Sequence, residues 1–161
     1  MEIERKWLGS RKNIPYDLSQ LDSSFIEQAY LSFYPTIRIR RINGNQFILT
    51  IKTHPENLDH SGLQREETEI PLTEKEYESL QERVIGKPIQ KNRYFHKTEE
   101  GLTEEIDVFC NDLDGLVLME IEFEDVDSAL HYPDPAWILR DVTDDYRYKN
   151  SSLAKNGLPF D

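Results

Sequence analysis

Charged residues in this chain recur two positions apart. Glu2 and Glu4 run on to Lys6, Arg38 and Arg40 alternate with Ile37 and Ile39, and Thr50 and Lys52 lie opposite Leu49 and Ile51. Glu67 with Glu69, Glu105 with Asp107, and the row Glu120, Glu122 and Glu124 repeat the spacing in acidic form. Alternate residues of a strand share a face, so each segment carries one charged face and one apolar face. Most of the charged doublets are of a single sign. Like charges at that spacing repel and cost stability unless something opposes them. Carboxylates hold Mg²⁺ or Mn²⁺ through oxygen, whereas Arg and Lys grip phosphate oxygens directly. Acidic rows set against basic rows therefore suit a polyanion carried with a divalent metal.

The segments that must position these residues alternate with period two, the pattern of strands with two unlike faces. They cover 1–8, 27–33, 36–41, 46–53, 64–70, 102–109 and 116–124, with a weaker candidate at 93–97. Asn43-Gly44-Asn45 separates two of them as a hairpin turn. One segment is helical: Thr73 and Glu76 form a T-x-x-E capping box, Tyr77, Leu80 and Val84 share a face, and Gly86 with Pro88 ends it. Short helices are expected at 125–130 and 151–155, and 132–136 holds two prolines in a loop. The fold class is α+β, mainly β: one antiparallel domain over 1–161, barrel-like.

A half-exposed sheet with a solvated charged face would also produce this pattern. Two features weigh against it. Solvent faces usually mix Thr, Ser, Gln and both signs of charge, and too few helices are present to cover anything but the apolar faces. The charged faces then look inward, and a closed barrel has room for them because its interior and exterior positions alternate.

Composition narrows the function classes. The 161 residues are 37% hydrophobic and 31% charged, too apolar for a disordered chain. A net charge of −12 argues against binding a nucleic-acid polymer through its backbone. No apolar run is long enough to span a bilayer, and Glu2 and Glu4 stand where a secretory leader would be basic and then apolar. Cys110 alone permits no disulfide, and His54, His60, His96 and His131 share no metal-ligand spacing. The expectation is a cytoplasmic protein without membrane or nucleic-acid partners, with monomer and homodimer both open.

The doublets resemble a known family. Glu2-Ile3-Glu4-Arg5-Lys6 matches the E-x-E-x-K signature of the CYTH, or triphosphate tunnel metalloenzyme, family. The match continues in order through Arg38-Ile39-Arg40, Thr50-Ile51-Lys52, Glu67-Thr68-Glu69, Lys91-Asn92-Arg93, Glu105-Ile106-Asp107 and Glu120-Ile121-Glu122. It ends at Val142-Thr143-Asp144 and Arg147-Tyr148-Lys149-Asn150. The resemblance implies a closed antiparallel eight-stranded β-barrel forming a tunnel, with outer helices and a C-terminal segment near one mouth. It further implies action on a linear triphosphate with Mg²⁺ or Mn²⁺. Glu2, Glu4, Glu120 and Glu122 would carry metal, with Glu67, Glu69, Glu105 and Asp107 as further ligands or behind them. Lys6, Arg38, Arg40, Lys52, Lys91 and Arg93 would bind the phosphates.

Gln28-Ala29-Tyr30-Leu31 resembles the same segment of the family's inorganic tripolyphosphatases, in which a Tyr–Lys pair handles the attacking water. Mapped here, the pair is Tyr30 and Lys52. Close to Arg38 and Arg40, the Lys52 ammonium would be disfavoured and could serve as a base; simple phosphate binding by Lys52 and wall packing by Tyr30 are the plainer roles. Trp7 is expected on the outer wall, Trp137 as packing near a tunnel mouth, and Cys110 as a small space-filler. Arg147 or Lys149 could reach substrate at the tunnel end. Hydrolysis of inorganic tripolyphosphate to pyrophosphate and phosphate is the leading function. A class IV-type adenylyl cyclase, a thiamine or nucleoside triphosphatase, and a non-catalytic triphosphate binder remain open.

Overall fold

The computed structural model describes residues 1–53 and 63–159, so His54 and His60 lie outside the described residues. Eight strands close into an antiparallel barrel: β1 (Glu2–Gly9), β2 (Asp22–Phe33), β3 (Thr36–Ile42), β4 (Gln46–Thr53), β5 (Gln64–Leu72), β6 (Ile85–Lys97), β7 (Thr103–Phe109) and β8 (Val117–Glu122). Their hydrogen-bonded order is β5–β4–β3–β2–β6–β7–β8–β1, and β1 returns to β5 through Glu2↔Arg65 and Ile3↔Gln64. Beyond Ile3 the same edge of β1 is taken by a short strand the sequence did not announce, β9 (Arg140–Asp141), paired to Trp7 and Leu8. Leu139 N and Val142 N donate to the Leu8 and Lys6 carbonyls at 2.8 and 2.9 Å. The C-terminal segment thus satisfies an edge that would otherwise be unpaired.

The outward residues of β1 hold that segment in place. The Arg5 guanidinium donates to Asp141 at 2.6 Å, to Asp134 at 2.7 Å and to the Ala129 carbonyl at 3.0 Å. It lies 4.6 Å from the centre of the Trp7 ring, whose indole N–H also donates to Asp134 at 2.8 Å. Trp7 is therefore outer-wall packing, as expected. Trp137 packs on the same wall beside Gly9 and Tyr16 rather than at the mouth.

Two apolar clusters lie outside the barrel and one inside it. Helix α2 (Val126–His131) contributes Ala129 to the outer cluster of Ile3, Trp7, Ile106, Met119 and Ile121. Helix α1 (Glu74–Gln81) lays Tyr77 against Ala29, Ile39 and Phe47. The Thr73 capping box forms as expected, with Glu76 N donating to Thr73 Oγ1 at 3.1 Å and Thr73 N to Glu76 Oε1 at 2.8 Å. The third cluster joins Tyr30, Ile89, Phe109 and Leu118 to Tyr148 and to Leu153 and Ala154 of α3 (Asn150–Asn156).

That inner cluster follows from a change along each inward face. Glu2, Glu4 and Lys6 give way to Leu8, Glu122 and Glu120 to Leu118, Glu105 and Asp107 to Phe109, and Arg93 and Lys91 to Ile89. The charged interior thus fills one end of the barrel, and α3 packs as an apolar plug into the other. The tunnel implied by the resemblance is a chamber with one packed end.

Strand β6 begins eight residues earlier than the 93–97 expected. Gly86 and Pro88 interrupt the alternation there, and the pairing absorbs them: Gln28↔Ile89 is followed by Tyr30↔Ile85, so two steps on β2 span four on β6. Such a bulge is where a strand tolerates Gly and Pro. Gly86 has φ +68°, and a Cβ there would stand 2.7 Å from the Ala154 carbonyl oxygen of α3. We therefore expect Gly86→Ala to cost about 1–3 kcal/mol for the left-handed backbone alone and to loosen the plug; a melting temperature equal to the wild type's would contradict this.

Candidate active site

The charged end encloses a cavity of about 780 Å³. Its acidic side is built by β1, β5, β7 and β8. Register sets Glu4 opposite Glu122, Lys6 opposite Glu120, and Glu105 opposite Glu120. Burial, and then the neighbouring Glu120, push the Glu4 carboxyl well above the usual carboxylate range. Burial acts on Glu120 in the same sense, but Lys6, Arg93 and Lys91 outweigh it and hold Glu120 well below that range. Glu4 and Glu120 are hydrogen-bonded to each other, and Glu4 is the one whose protonated form the chamber favours. Glu2 is raised by burial and by Glu67, and Glu105 by burial.

Lys52 sits inside this acidic wall. Its ammonium lies 3.0 Å from Glu2 and 3.6 Å from Glu67. The arginine-flanked setting expected for it is not the one the fold makes, because β4 pairs with β5 on its other edge and Lys52 stands in register with Glu67. Tyr30 is buried against Phe33. No hydrogen bond joins Tyr30 to Lys52 among the described residues.

The opposite side carries the cations. Arg93 is bound by acids: Nε to Asp107 at 2.7 Å, Nη1 to Glu105 at 2.6 Å, and Nη2 to Glu120 at 3.6 Å. Arg38 and Arg40, on β3, have no ion pair among the described residues. The Arg38 Nε is buried without a hydrogen-bond partner. Burial, then Arg38 and Arg93, lower the Arg40 guanidinium to about 9. Two enclosed, like-charged guanidiniums facing a cavity are chemically suited to an anion.

Lys91 was expected to touch phosphate, but it does not line the cavity. It is fully buried beneath the arginine side, 2.7 Å from Asp107 and 3.2 Å from the Asn150 side chain. Burial lowers its ammonium to about 7. Asp107, also fully buried, spends both oxygens on Arg93 and Lys91, which places it behind the wall rather than on it. Glu2, Glu4, Glu67, Glu69, Glu105, Glu120 and Glu122 do face the chamber, as do Lys6, Lys52, Arg38, Arg40 and Arg93. These donors are all carboxylate oxygens, the set hard divalent cations take. Among the described residues no three of them already stand in the arrangement of a metal centre.

Arg65 and Asn150 were not singled out as site residues, whereas Lys149, a candidate at the tunnel end, does line the chamber. Arg65 lines the chamber and shares the parity of Glu67 and Glu69 on β5, so the signal was present. Lys149 reaches the cavity from the turn before α3, and burial, then Arg65 and Lys6, lower its ammonium. Asn150 opens α3 itself. No strand alternation could place these last two. Of the other singled-out residues, Arg147 is turned to Asp145 at 2.7 Å. His96 stacks on Tyr16 at 3.7 Å and meets Glu104 at 2.9 Å on the outside.

A closed antiparallel barrel with carboxylate rows opposing arginine and lysine rows across an enclosed chamber is the architecture of the triphosphate tunnel, or CYTH, proteins. Comparison with known proteins narrows this further. An inorganic triphosphatase of Nitrosomonas europaea is 34% identical over 157 residues, covering 95% of this chain and 96% of the relative. An inorganic triphosphatase of Acetivibrio thermocellus is 32% identical over 157 residues, covering 96% and 94%. The crystal structure of an inorganic triphosphatase aligns with TM-score 0.67 at 32% identity, over 96% of this chain and 94% of that one. A Hippeastrum protein assigned as an adenylyl cyclase, with a dominant triphosphatase activity, shares the fold at TM-score 0.59 and 15% identity, over 81% and 83% of the two chains. No family model matches the chain. This chain belongs to the CYTH family, among relatives that are inorganic triphosphatases.

Proposed function

We propose that the chain hydrolyses linear triphosphates, with inorganic tripolyphosphate as the preferred substrate and pyrophosphate and phosphate as products. The observation that carries this reading is the pair of enclosed guanidiniums, Arg38 and Arg40, which have no ion pair among the described residues and lie across the chamber from a carboxylate wall. A triphosphate brings roughly four to five negative charges; Arg38 and Arg40 meet it without an ion pair of their own among the described residues, and Lys6, Lys52 and Arg93 add donors from their places beside the carboxylates. Phosphoryl transfer asks mainly for positioning and charge stabilisation, and fixed cations in an enclosed site supply both without reorganising.

Glu2, Glu4, Glu120 and Glu122 are the residues that would hold Mg²⁺ or Mn²⁺, with Glu67, Glu69 and Glu105 beside them. The crowding of Glu4 against Glu120 supports this, because the neighbouring carboxylate is a leading reason the Glu4 carboxyl is raised. When bound, the metal supplies Lewis-acid polarisation of phosphoryl oxygens. Lys52, clamped between Glu2 and Glu67, is suited to binding phosphate at the seam between the two walls, and its support as a base falls away. Lys52→Met is expected to cut kcat/KM by about tenfold to a hundredfold, and Tyr30→Phe to leave kcat near wild type. The reverse ranking in a steady-state assay would restore the water-handling pair.

The test is phosphate release from tripolyphosphate, ATP, GTP and thiamine triphosphate, each with Mg²⁺, with Mn²⁺ and with EDTA. Orthophosphate released fastest from tripolyphosphate, and abolished by EDTA, is the expected result. Cyclic AMP formed alongside pyrophosphate from ATP would overturn it in favour of a cyclase.

A further inference from the structure

Beneath the arginine side runs a continuous polar chain that the proposed chemistry leaves unused. Arg40 Nε donates to Gln28 Oε1 at 3.1 Å, and Gln28 Nε2 donates to Asn150 Oδ1 at 2.8 Å. Lys91 Nζ donates to that same Asn150 oxygen at 3.2 Å. Gln28 is 1% exposed and Asn150 9%.

The direction of this chain is set from its two ends. A lysine ammonium and an arginine Nε–H can only donate. Lys91 therefore requires the Asn150 oxygen, which leaves Gln28 to present its amino group there and its carbonyl to Arg40. Flipping either amide sets donor against donor. The arrangement also preserves charge: a carboxylate in the place of Gln28 would neutralise Arg40, whereas an amide carbonyl orients the guanidinium through Nε and keeps its whole charge for an anion. Asn150 is the first residue of α3, so the chain ties the plug to the chamber wall.

We propose that Gln28 and Asn150 are positioning residues, fixing the Arg40 guanidinium in the orientation that receives a phosphate group and linking that orientation to the seating of α3. This rests on the triphosphate reading above and deepens it by adding two uncharged residues to the binding apparatus. Gln28 reaches the substrate only through Arg40, whereas Asn150 also borders the chamber.

Asn150→Asp and Asn150→Leu separate this role from packing. Both contacts at Asn150 use its oxygen, so Asp keeps the chain and Leu, similar in size, breaks it. The readouts are KM and kcat for tripolyphosphate, and the shift in melting temperature that tripolyphosphate produces in EDTA. The expected result is a KM within about threefold of wild type for Asn150→Asp, and a rise of about tenfold or more for Asn150→Leu with a smaller thermal shift. Gln28→Glu, which cannot donate to Asn150 and neutralises Arg40, should match Asn150→Leu, and it decides the matter if the Leu variant does not fold. A folded Asn150→Leu or Gln28→Glu protein with wild-type KM and thermal shift overturns the network alone, as does Asn150→Asp impaired equally with Asn150→Leu. A wild-type protein that neither binds nor cleaves tripolyphosphate overturns the functional reading, and the network with it.

Discussion

Glu4→Gln should lower kcat for tripolyphosphate by about 10²–10³-fold while leaving the fold at least as stable as before. The two halves of this expectation have one cause. Burial and the neighbouring Glu120 push the Glu4 carboxyl well above the usual range, which favours its protonated form in the unliganded chamber. Gln copies the protonated form in shape and hydrogen-bonding capacity, so the unliganded chamber loses nothing. What Gln cannot do is ionise when a divalent cation needs an oxygen donor. The sign of the pH effect follows from linkage. A carboxyl raised in the folded state binds more protons there than in the unfolded chain, so its contribution falls as pH rises from the ordinary value of 4.5 toward the folded one. In EDTA, then, Glu4→Gln should melt higher than wild type at neutral pH, and the gap should close in acid. A variant with wild-type activity, or one that melts lower at pH 7 than at pH 4 relative to the parent, would remove Glu4 from its assigned place.

Arg93→Met should be the most damaging single change to the chamber's stability, by about 3–5 kcal/mol. Arg93 lies 2.7 Å from Asp107, 2.6 Å from Glu105 and 3.6 Å from Glu120, and its side chain is 12% exposed. Burial opposes its charge, but those three acids outweigh it and hold the guanidinium above its usual range. Removing Arg93 leaves Asp107 with Lys91, Glu120 with Lys6 at 4.0 Å, and Glu105, whose side chain is 28% exposed, without its ion-pair partner. At this chain length the loss lowers the melting temperature by about 10 °C. Asp107 and Glu120 are depressed in the folded state, so they stabilise above their unfolded values and that stability is lost as pH falls. Protonation relieves the acids that lose Arg93, so the deficit of Arg93→Met should shrink in acid. Adding Glu105→Gln should recover part of it at neutral pH. Denaturant melts at pH 5 and pH 8 check both, and a deficit that grows in acid would sink the argument.

Gly86→Ala and Lys52→Met test positions for which local pattern was a poor guide. Gly86 reads as a helix stop, yet it lies within β6, where a Cβ would meet α3. Lys52 reads as one cation among arginines, yet its strand register delivers it to Glu2 and Glu67. In both cases the neighbour that decides the residue's role comes from a segment distant in the chain.

Apart from β9 and the first half of β6, the strands, their inward charged faces, the capped helix and the family were legible in one sequence. Alternation and capping are local, and like-charged doublets are costly enough that their presence already points to an opposing charge. Gln46–Thr53 shows this: its bounds, its inward Thr50 and Lys52 and its hairpin at Asn43-Gly44 are all written in neighbouring residues. Arg65 could have been read the same way, from its parity with Glu67. What only the tertiary structure decided is which rows meet. Barrel closure through Glu2↔Arg65 sets Lys52 among acids, the apolar ends of the same strands admit α3 and close the chamber, and burial then sorts the charges. Burial leaves Arg38 and Arg40 facing the cavity with no ion pair among the described residues and takes Lys91 and Asp107 out of reach behind it. Asn150 joins them from a helix with no alternation to reveal it. The physical reason is that strand periodicity specifies a face, whereas pairing, enclosure and desolvation depend on residues far apart in the chain.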